Sequence, residues 1–462
     1  MYKLINKIKK VTGNSTDIQY KKLNINKEEI TIIYSEVLTS STSINDFILR
    51  PLLVTNNINI ENLPINNIEK IKDYKTILKR LLSGFTILLY KDDIYTLETR
   101  IGLSRGISIP TTETSLRGPK DAFCEHFNTN LGLIRKRIPS KHLFIKNYSI
   151  GRHTKTTVGL LYMNNIVNKE YLTKVSKKLA SINIDGIIDS GYIKRYIEER
   201  KSIFPSVIST ERCDMVAQAL LEGKICILVD NSCYILILPT FFIDYFHTPD
   251  DYYQKPIHIS FIRIIRLLGF LVSILLPSFY IATTTINNDV LTTSLLTSFI
   301  SQRKLVPFPS LIEATILSIS FEILRESDVR SSTSSAVSIL GGIVLGEAAV
   351  EAGIVSPIMI IVIAISAISG LLFSSVEMIS AIRWWRYIFM FLGAIFGLYG
   401  MYIGIIIFIV SLEKTNINDY PYLYPFSPIN FYELKDSFIK KTTKDKKRNE
   451  LLTKNITRGK EL

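Results

Sequence analysis

The residues with the most chemical potential lie in the most apolar half of the chain. Glu347 and Glu351 stand four apart inside a run of small side chains, Ala336 to Gly353, and on a helix that spacing puts both carboxylates on one face. A carboxylate at membrane depth is costly unless it meets water, a cation or a partner, so the pair marks a candidate ion path. The same spacing also fits a helix at the membrane surface whose carboxylates are merely solvated, and the residues alone leave both readings open. No other constellation points to catalysis. The histidines, His126, His142, His153, His247 and His258, share no spacing with a nucleophile or a metal partner. Asp185 and Asp189 read as turn and helix-start residues. No glycine-rich phosphate loop is followed by Lys-Ser or Lys-Thr, and the four cysteines, Cys124, Cys213, Cys226 and Cys233, have neither zinc nor disulfide spacing. An enzyme is not expected, nor a cofactor or metal.

The elements that position this acidic pair are apolar helices. Of 462 residues, the apolar ones concentrate between Ile264 and Leu412, a shift that marks a membrane half. Ile264 to Ile286 is long enough to span. Leu311 to Leu324 contains Glu313 and Glu322 and reads as an interfacial or protein-buried amphipathic helix. Ile354 to Val376 and Tyr387 to Leu412 are further apolar runs. Gly341, Gly342, Gly346 and Gly353 are candidates for close helix packing, since small side chains let helices approach in lipid. The expectation is a membrane domain over 258–412 with about four full crossings and one amphipathic helix. Lys255, Arg263 and Arg266 at its entrance keep the preceding residues on the cytosolic side by the positive-inside rule. Arg383 and Arg386 precede the last apolar run, while Lys440, Lys441, Lys444, Lys446, Lys447 and Arg448 follow it. One crossing cannot put both groups inside. The longer cluster carries more weight, and both termini are expected in the cytosol, with 413–462 a basic tail near anionic lipid.

The preceding residues alternate helix and strand patterns. The expected plan is a flexible tail over 1–27, a first α/β subdomain over 28–148 and a second over 149–257. Two stretches about 139 residues apart follow one design: Leu81-Leu82-Ser83-Gly84 and Leu220-Leu221-Glu222-Gly223 each end a helix at glycine and lead into a hairpin. Two similar lobes follow from this. Lys155 to Met163 reads as a strand, and Asn168 as the cap of a helix with Leu172, Val175 and Leu179 on one face. The fold class is thus multi-domain: a two-lobed α/β soluble region followed by an α-helical transmembrane domain. The net charge of +14 forms no basic stripe interleaved with aromatics, so nucleic acid is not an expected partner.

Several ordered motifs are distinctive. They include Pro119-Lys120-Asp121, Asn128-Thr129-Asn130 leading to Leu133-Ile134-Arg135-Lys136-Arg137, and Gly151-Arg152-His153-Thr154-Lys155-Thr156. Ile184 to Ile193, Thr210-Glu211-Arg212, Pro249-Asp250-Asp251-Tyr252-Tyr253 and Ser260-Phe261-Ile262-Arg263 follow. Val306-Pro307-Phe308-Pro309, Phe321-Glu322-Ile323-Leu324-Arg325-Glu326 and Ala348 to Pro357 complete the series. This order resembles the A subunits of the GerA family of spore-germination receptors. The resemblance implies a two-lobed head, a transporter-like B subunit and a lipoprotein C subunit as partners, and a place in the inner membrane of dormant spores. It further implies that copies of the A subunit assemble into a nutrient-gated cation channel; a non-conducting relay scaffold or a transporter are the alternatives. Coupling between head and membrane is expected at Asp250, Tyr252, Arg263, Arg266, Pro307, Pro309, Glu322 and Arg325. Cys213 and Glu347 depart from the family's usual proline and glutamine, and 374–380 lacks its Pro-Ser-Tyr pattern.

Overall fold

The computed structural model describes residues 2–25, 28–54, 60–102, 113, 118–198, 202–304, 306–330, 346–373, 375–417, 420–439 and 450–453. They fall into two units: residues 1–200 with 206–240 and 443–462, and residues 201–205 with 241–442.

The first unit contains two five-stranded antiparallel sheets. One comprises β1 (Ile18–Ile25), β2 (Glu28–Ser35), β3 (Ile68–Lys70), β4 (Phe85–Tyr90) and β5 (Asp93–Glu98), in the order β1-β2-β4-β5-β3. The other comprises β6 (Leu143–Ile150), β7 (Thr156–Met163), β8 (Ile208–Thr210), β9 (Ile225–Val229) and β10 (Ile235–Leu238), in the order β6-β7-β9-β10-β8. The orders are identical once shifted by five strands, so the two lobes are repeats of one topology. The helix-glycine-hairpin similarity is one visible part of it: Gly84 and Gly223 both take positive φ, +88° and +95°, one and two residues before β4 and β9.

Period-two alternation on β4 sends Ile87 and Leu89 to one face of its sheet and Leu88 to the other. On the first face α1 (Tyr2–Val11) and α2 (Tyr74–Leu81) pack Ile5, Ile8, Ile77 and Leu81. The expected flexible tail over 1–27 is corrected accordingly. Its lysines and asparagines conceal a helix whose Ile5 and Ile8 share one face, and a strand paired along its whole length with β2. The boundary at 148/149 is also displaced, because it would cut β6, which pairs with β7 throughout. The second lobe begins earlier, with α3 (Phe127–Arg137), which packs on α6 (Cys213–Glu222) and β9. Between them, α4 (Lys169–Ser181) is capped by Asn168, whose side chain accepts from Glu170 N at 3.0 Å and whose Val175 and Leu179 are buried. Next comes α5 (Ser190–Ile197), capped by Asp189. The C-terminal residues are not simply a solvated tail: Leu452 and Thr453 are buried in this first unit, against Ile166 and Gly223.

The second unit is helical. Its described helices are α7 (Pro256–Thr285), α8 (Thr293–Arg303), α9 (Ser310–Arg330), α10 (Pro357–Gly370) and α11 (Val376–Lys414). Among the described residues, α7 and α11 are long and apolar enough to cross a membrane; α10 is apolar but shorter. Pro277 lies inside α7, and proline has no N–H to give the carbonyl four residues earlier. That carbonyl, Ser273 O, accepts instead from Arg386 Nε at 2.9 Å and from Ser366 Oγ at 2.7 Å, which ties α7, α10 and α11 together.

Helix α11 is two helices. At Gly397 the backbone leaves helical geometry, with φ 59° and ψ −140°. Beyond it the chain folds back, since Trp385 and Phe408 have ring centroids 4.9 Å apart and Gly404 lies against Phe389. Of the charges around the last apolar run, Lys440, Lys441, Lys444, Lys446, Lys447 and Arg448 lie outside the described residues, while Lys414 is placed by this turn. Two antiparallel limbs, not one crossing, return Lys414 to the end of the bundle that holds Arg383 and Arg386.

Candidate functional site

Two polar clusters are set into the helical unit, one at each end of α7. The first begins with Thr248, which starts a short 3-10 helix, Pro249–Tyr252, in a capping box with Asp251. One turn of this geometry points the Asp251 carboxylate inward, and it is fully buried. Arg263 Nε donates to its Oδ2 at 3.1 Å, and Arg266 Nη1 donates to both oxygens at 3.1 Å. Arg266 also reaches Phe246 O at 2.9 Å and Thr248 Oγ1 at 3.0 Å. Burial alone would raise the Asp251 pKa, but the charges of Arg266 and Arg263 and the bond from Arg263 outweigh it and hold the carboxyl below its ordinary value. The clamp fixes the chain entering the membrane half to the first turns of α7. Around it, Phe246, Phe270 and Phe373 make edge-to-face contacts at 5.3–6.0 Å.

A depressed folded pKa contributes stability that is present above the unfolded value, about 3.9 for aspartate, and is lost as pH falls through the folded one. Asp251→Asn keeps the planar shape but removes the charge and turns one accepting oxygen into a donor that faces the arginines, so it should cost about 1.5–3 kcal/mol. It should also abolish this contribution to acid sensitivity below about pH 4, measured by thermal melts of the detergent-purified chain across pH.

The second cluster surrounds Glu313 at the start of α9. Its Oε1 accepts from both Ser356 N and Ser356 Oγ at 2.6 Å, so a carboxylate sits at the N-terminus of α10, where the helix dipole favours it. Thr284 and Ser310 Oγ atoms, 3.3 Å apart, join α7 to α9 at the same end.

The expected coupling residues are therefore not one site. Arg263 and Arg266 meet at the first cluster through Asp251, which belongs to the Pro249–Tyr253 run but is not among the expected coupling residues. Asp250 and Tyr252 flank Asp251 on the same 3-10 helix. Glu322 pairs with Arg383 at 3.0 Å, and Arg325 lies within electrostatic reach of both. Pro307 and Pro309 are exposed and precede α9, next to Ser310 at the opposite end of α7 from Asp251. The helix periodicity of α7 could have indicated the Arg263–Arg266 pairing, one turn apart; the burial of Asp251 and Glu313 needed tertiary structure.

Glu347 and Glu351 are both exposed on a helical turn over 346–351. Among the described residues, the nearest atom to where a Cβ would stand at Gly346 is 4.0 Å away. Gly353, at φ +67°, ends this helix with Ile354 N donating to Ala349 O at 3.0 Å, so its requirement is for a left-handed cap. Gly341 and Gly342 lie outside the described residues. Among the described residues no group of three His, Cys, Asp or Glu could hold a metal ion.

A duplicated α/β region on one chain with a bundle of apolar helices, pinned at their entrance by a buried carboxylate and two arginines, defines a membrane-associated protein with a two-lobed head. The chain belongs to the GerA family: the family model described as Bacillus/Clostridium GerA spore germination protein matches residues 6–451. It is 34% identical over 455 residues to spore germination protein KA of Bacillus subtilis strain 168, covering 95% of this chain and 84% of that protein. It is 35% identical over 422 residues to the uncharacterized membrane protein YfkQ of the same organism, covering 88% and 82%. A crystal structure of the N-terminal domain of the A subunit of the Bacillus megaterium germinant receptor GerK3 is 31% identical, with a TM-score of 0.39, covering 52% of this chain and 94% of that one.

Proposed function

We propose that this chain is the A subunit of a nutrient germinant receptor in the inner membrane of dormant spores, with its two-lobed head in the cytosol. In this reading it assembles with a transporter-like B subunit, a lipoprotein C subunit and further copies of itself, and contributes to a nutrient-gated cation channel. The observation that carries the reading is the family match, which runs through head and membrane half in one continuous chain. Orientation is supported by charge. Arg263 and Arg266 at the start of α7 lie at the end of the bundle to which Arg383, Arg386 and Lys414 also belong, since Phe408 packs on Phe270 at 6.0 Å, and cationic residues favour the inner face.

Ligand on the B subunit favours an open arrangement by binding it more tightly than the closed one. The exposed carboxylates of Glu347 and Glu351 are available to line a path between copies, where rings of carboxylates attract cations. The test is nutrient-dependent cation flux from liposomes carrying the purified complex. Glu351→Gln should lower flux and weaken cation-over-anion selectivity. Unchanged flux and selectivity would remove this residue from the path, and a complex that binds nutrient without any flux would make the subunit a non-conducting relay.

A further inference from the structure

Among the described residues of the helical unit, Glu313 is a buried carboxylate with unmet bonding capacity. Its Oε1 is satisfied by Ser356, but its Oε2 is buried and makes no hydrogen bond. Arg303 Nε, itself buried without a hydrogen bond, stops 3.9 Å short of that oxygen. The Tyr280 hydroxyl is buried beside Ser356, Glu313 and Arg303, within reach of Ser356 but without a well-formed hydrogen bond. Native interiors rarely leave so many polar atoms unsatisfied in one place. A guanidinium at this distance supplies the charge that a buried carboxylate needs but not the bond.

The element that carries Arg303 is weakly held. α8 has no fully buried residue along Thr293–Arg303 and touches the core through Phe299, whose ring lies 5.6 Å from that of Tyr280, whereas Glu313, Ser356 and Tyr280 sit on helices that bury Ala314, Leu317 and Met359 in that core. The charge at the site is thus delivered by the less deeply packed helix, and the oxygens by the more deeply packed ones. All the fixed ligand atoms are hard oxygens, and they carry a single negative charge, which matches a cation of charge one; calcium takes roughly six to eight oxygen ligands, more than stand here.

We propose that Glu313, Tyr280 and Ser356 form a binding site for a monovalent inorganic cation, which Arg303 occupies as a tethered substitute in this conformation. Withdrawal of α8 opens the site to a free ion, and its return expels that ion. The site's place in conduction rests on the channel reading above, but its occupancy does not, and the test reads occupancy alone.

The full-length protein in detergent is melted in potassium chloride and in choline chloride at matched ionic strength. In Arg303→Gln, potassium should raise the melting temperature saturably by roughly 2–4 °C, because it compensates a charge otherwise left unpaired. The wild type and Arg303→Gln/Glu313→Gln should show no such rise. A melt of Arg303→Gln that ignores potassium, or that responds equally without the carboxylate, overturns the proposal. Stability that follows pH instead would mean that Glu313 is simply protonated, and overturns it too. Should Arg303→Gln not be recovered folded, Arg303→Lys supplies a second measurement: acylation of the substituted amine should be faster in potassium than in choline, since the ion displaces it. Equal rates would refute the site. Loss of vesicle flux with potassium binding intact would count against the channel reading alone.

Discussion

Arg135→Met should cost the head about 3–5 kcal/mol, the usual effect of leaving one partner of a buried ion pair uncompensated. Arg135 and Asp17 are 1% and 0% exposed at their side chains, and they belong to different lobes. Asp17 lies just before β1 of the first; Arg135 is on α3, which packs with the second. The guanidinium donates Nε to Asp17 Oδ2 at 3.1 Å and Nη2 to Oδ1 at 2.9 Å, reaches Ser15 Oγ at 3.4 Å with Nη2, and gives Nη1 to the carbonyls of Ser140 and Leu143 at 3.1 Å. Every donor of the fork has a partner. The same turn brings Gly13 against the Phe144 ring of β6, so a narrow contact fixes the two lobes to each other. Denaturant unfolding of the full chain, followed by protease sensitivity between residues 100 and 143, should register the loss. Lysine cannot restore the fork, so Arg135→Lys should recover only part of it. Arg135→Met combined with Asp17→Leu should recover more than either single change, because the orphaned carboxylate is then gone.

What the sequence made legible follows the range over which each feature is determined. The repeat was visible because a helix stop, a left-handed glycine and a hairpin are local, and Gly84 and Gly223 mark them in both lobes. The strand at β7 and the Asn168 cap were local in the same way. The first helix was hidden because Lys3, Lys7, Lys9 and Lys10 dominate its composition, while the face that matters, Ile5 and Ile8, is only two residues wide. The edge between lobes was hidden because strand pairing, not chain order, assigns β6. Among the acids, Asp250 and Asp251 are indistinguishable in sequence, and only the hydrogen-bonded turn begun by Thr248 decides which is buried. Glu347 and Glu351 attracted attention by helical spacing, but their side chains are exposed in this chain. Glu313, read as one acid on an amphipathic helix, is the acid buried at 0% exposure, because the N-terminus of α10 arrives from 43 residues away to meet it.

Gly397→Val should be the most damaging single change in the membrane half. Four glycines, Gly393, Gly397, Gly400 and Gly404, follow each other at helical spacing, which by itself suggests a packing face. Their roles differ. At Gly393 a Cβ would stand 2.4 Å from Ser278 Oγ, so this glycine serves the close approach of α7. At Gly397 the backbone lies where L side chains are strained by about 1–3 kcal/mol, and a Cβ would stand 2.1 Å from Asn287 Oδ1. That oxygen accepts from Leu398 N at 2.9 Å, and so satisfies the first free N–H of the returning limb. Valine therefore strains the turn, displaces its cap and overfills the space, together at least about 3 kcal/mol. The low-energy escape is to continue the helix, which would carry Lys414 about 25 Å beyond Gly397 and about 46 Å from Arg383. Cysteines placed at Trp385 and Phe408, in a background lacking the four native ones, should cross-link readily with glycine at 397 and much less with valine there. Equal cross-linking in both backgrounds would mean that the limbs are held together by the Phe204, Trp385 and Phe408 rings without need of the turn.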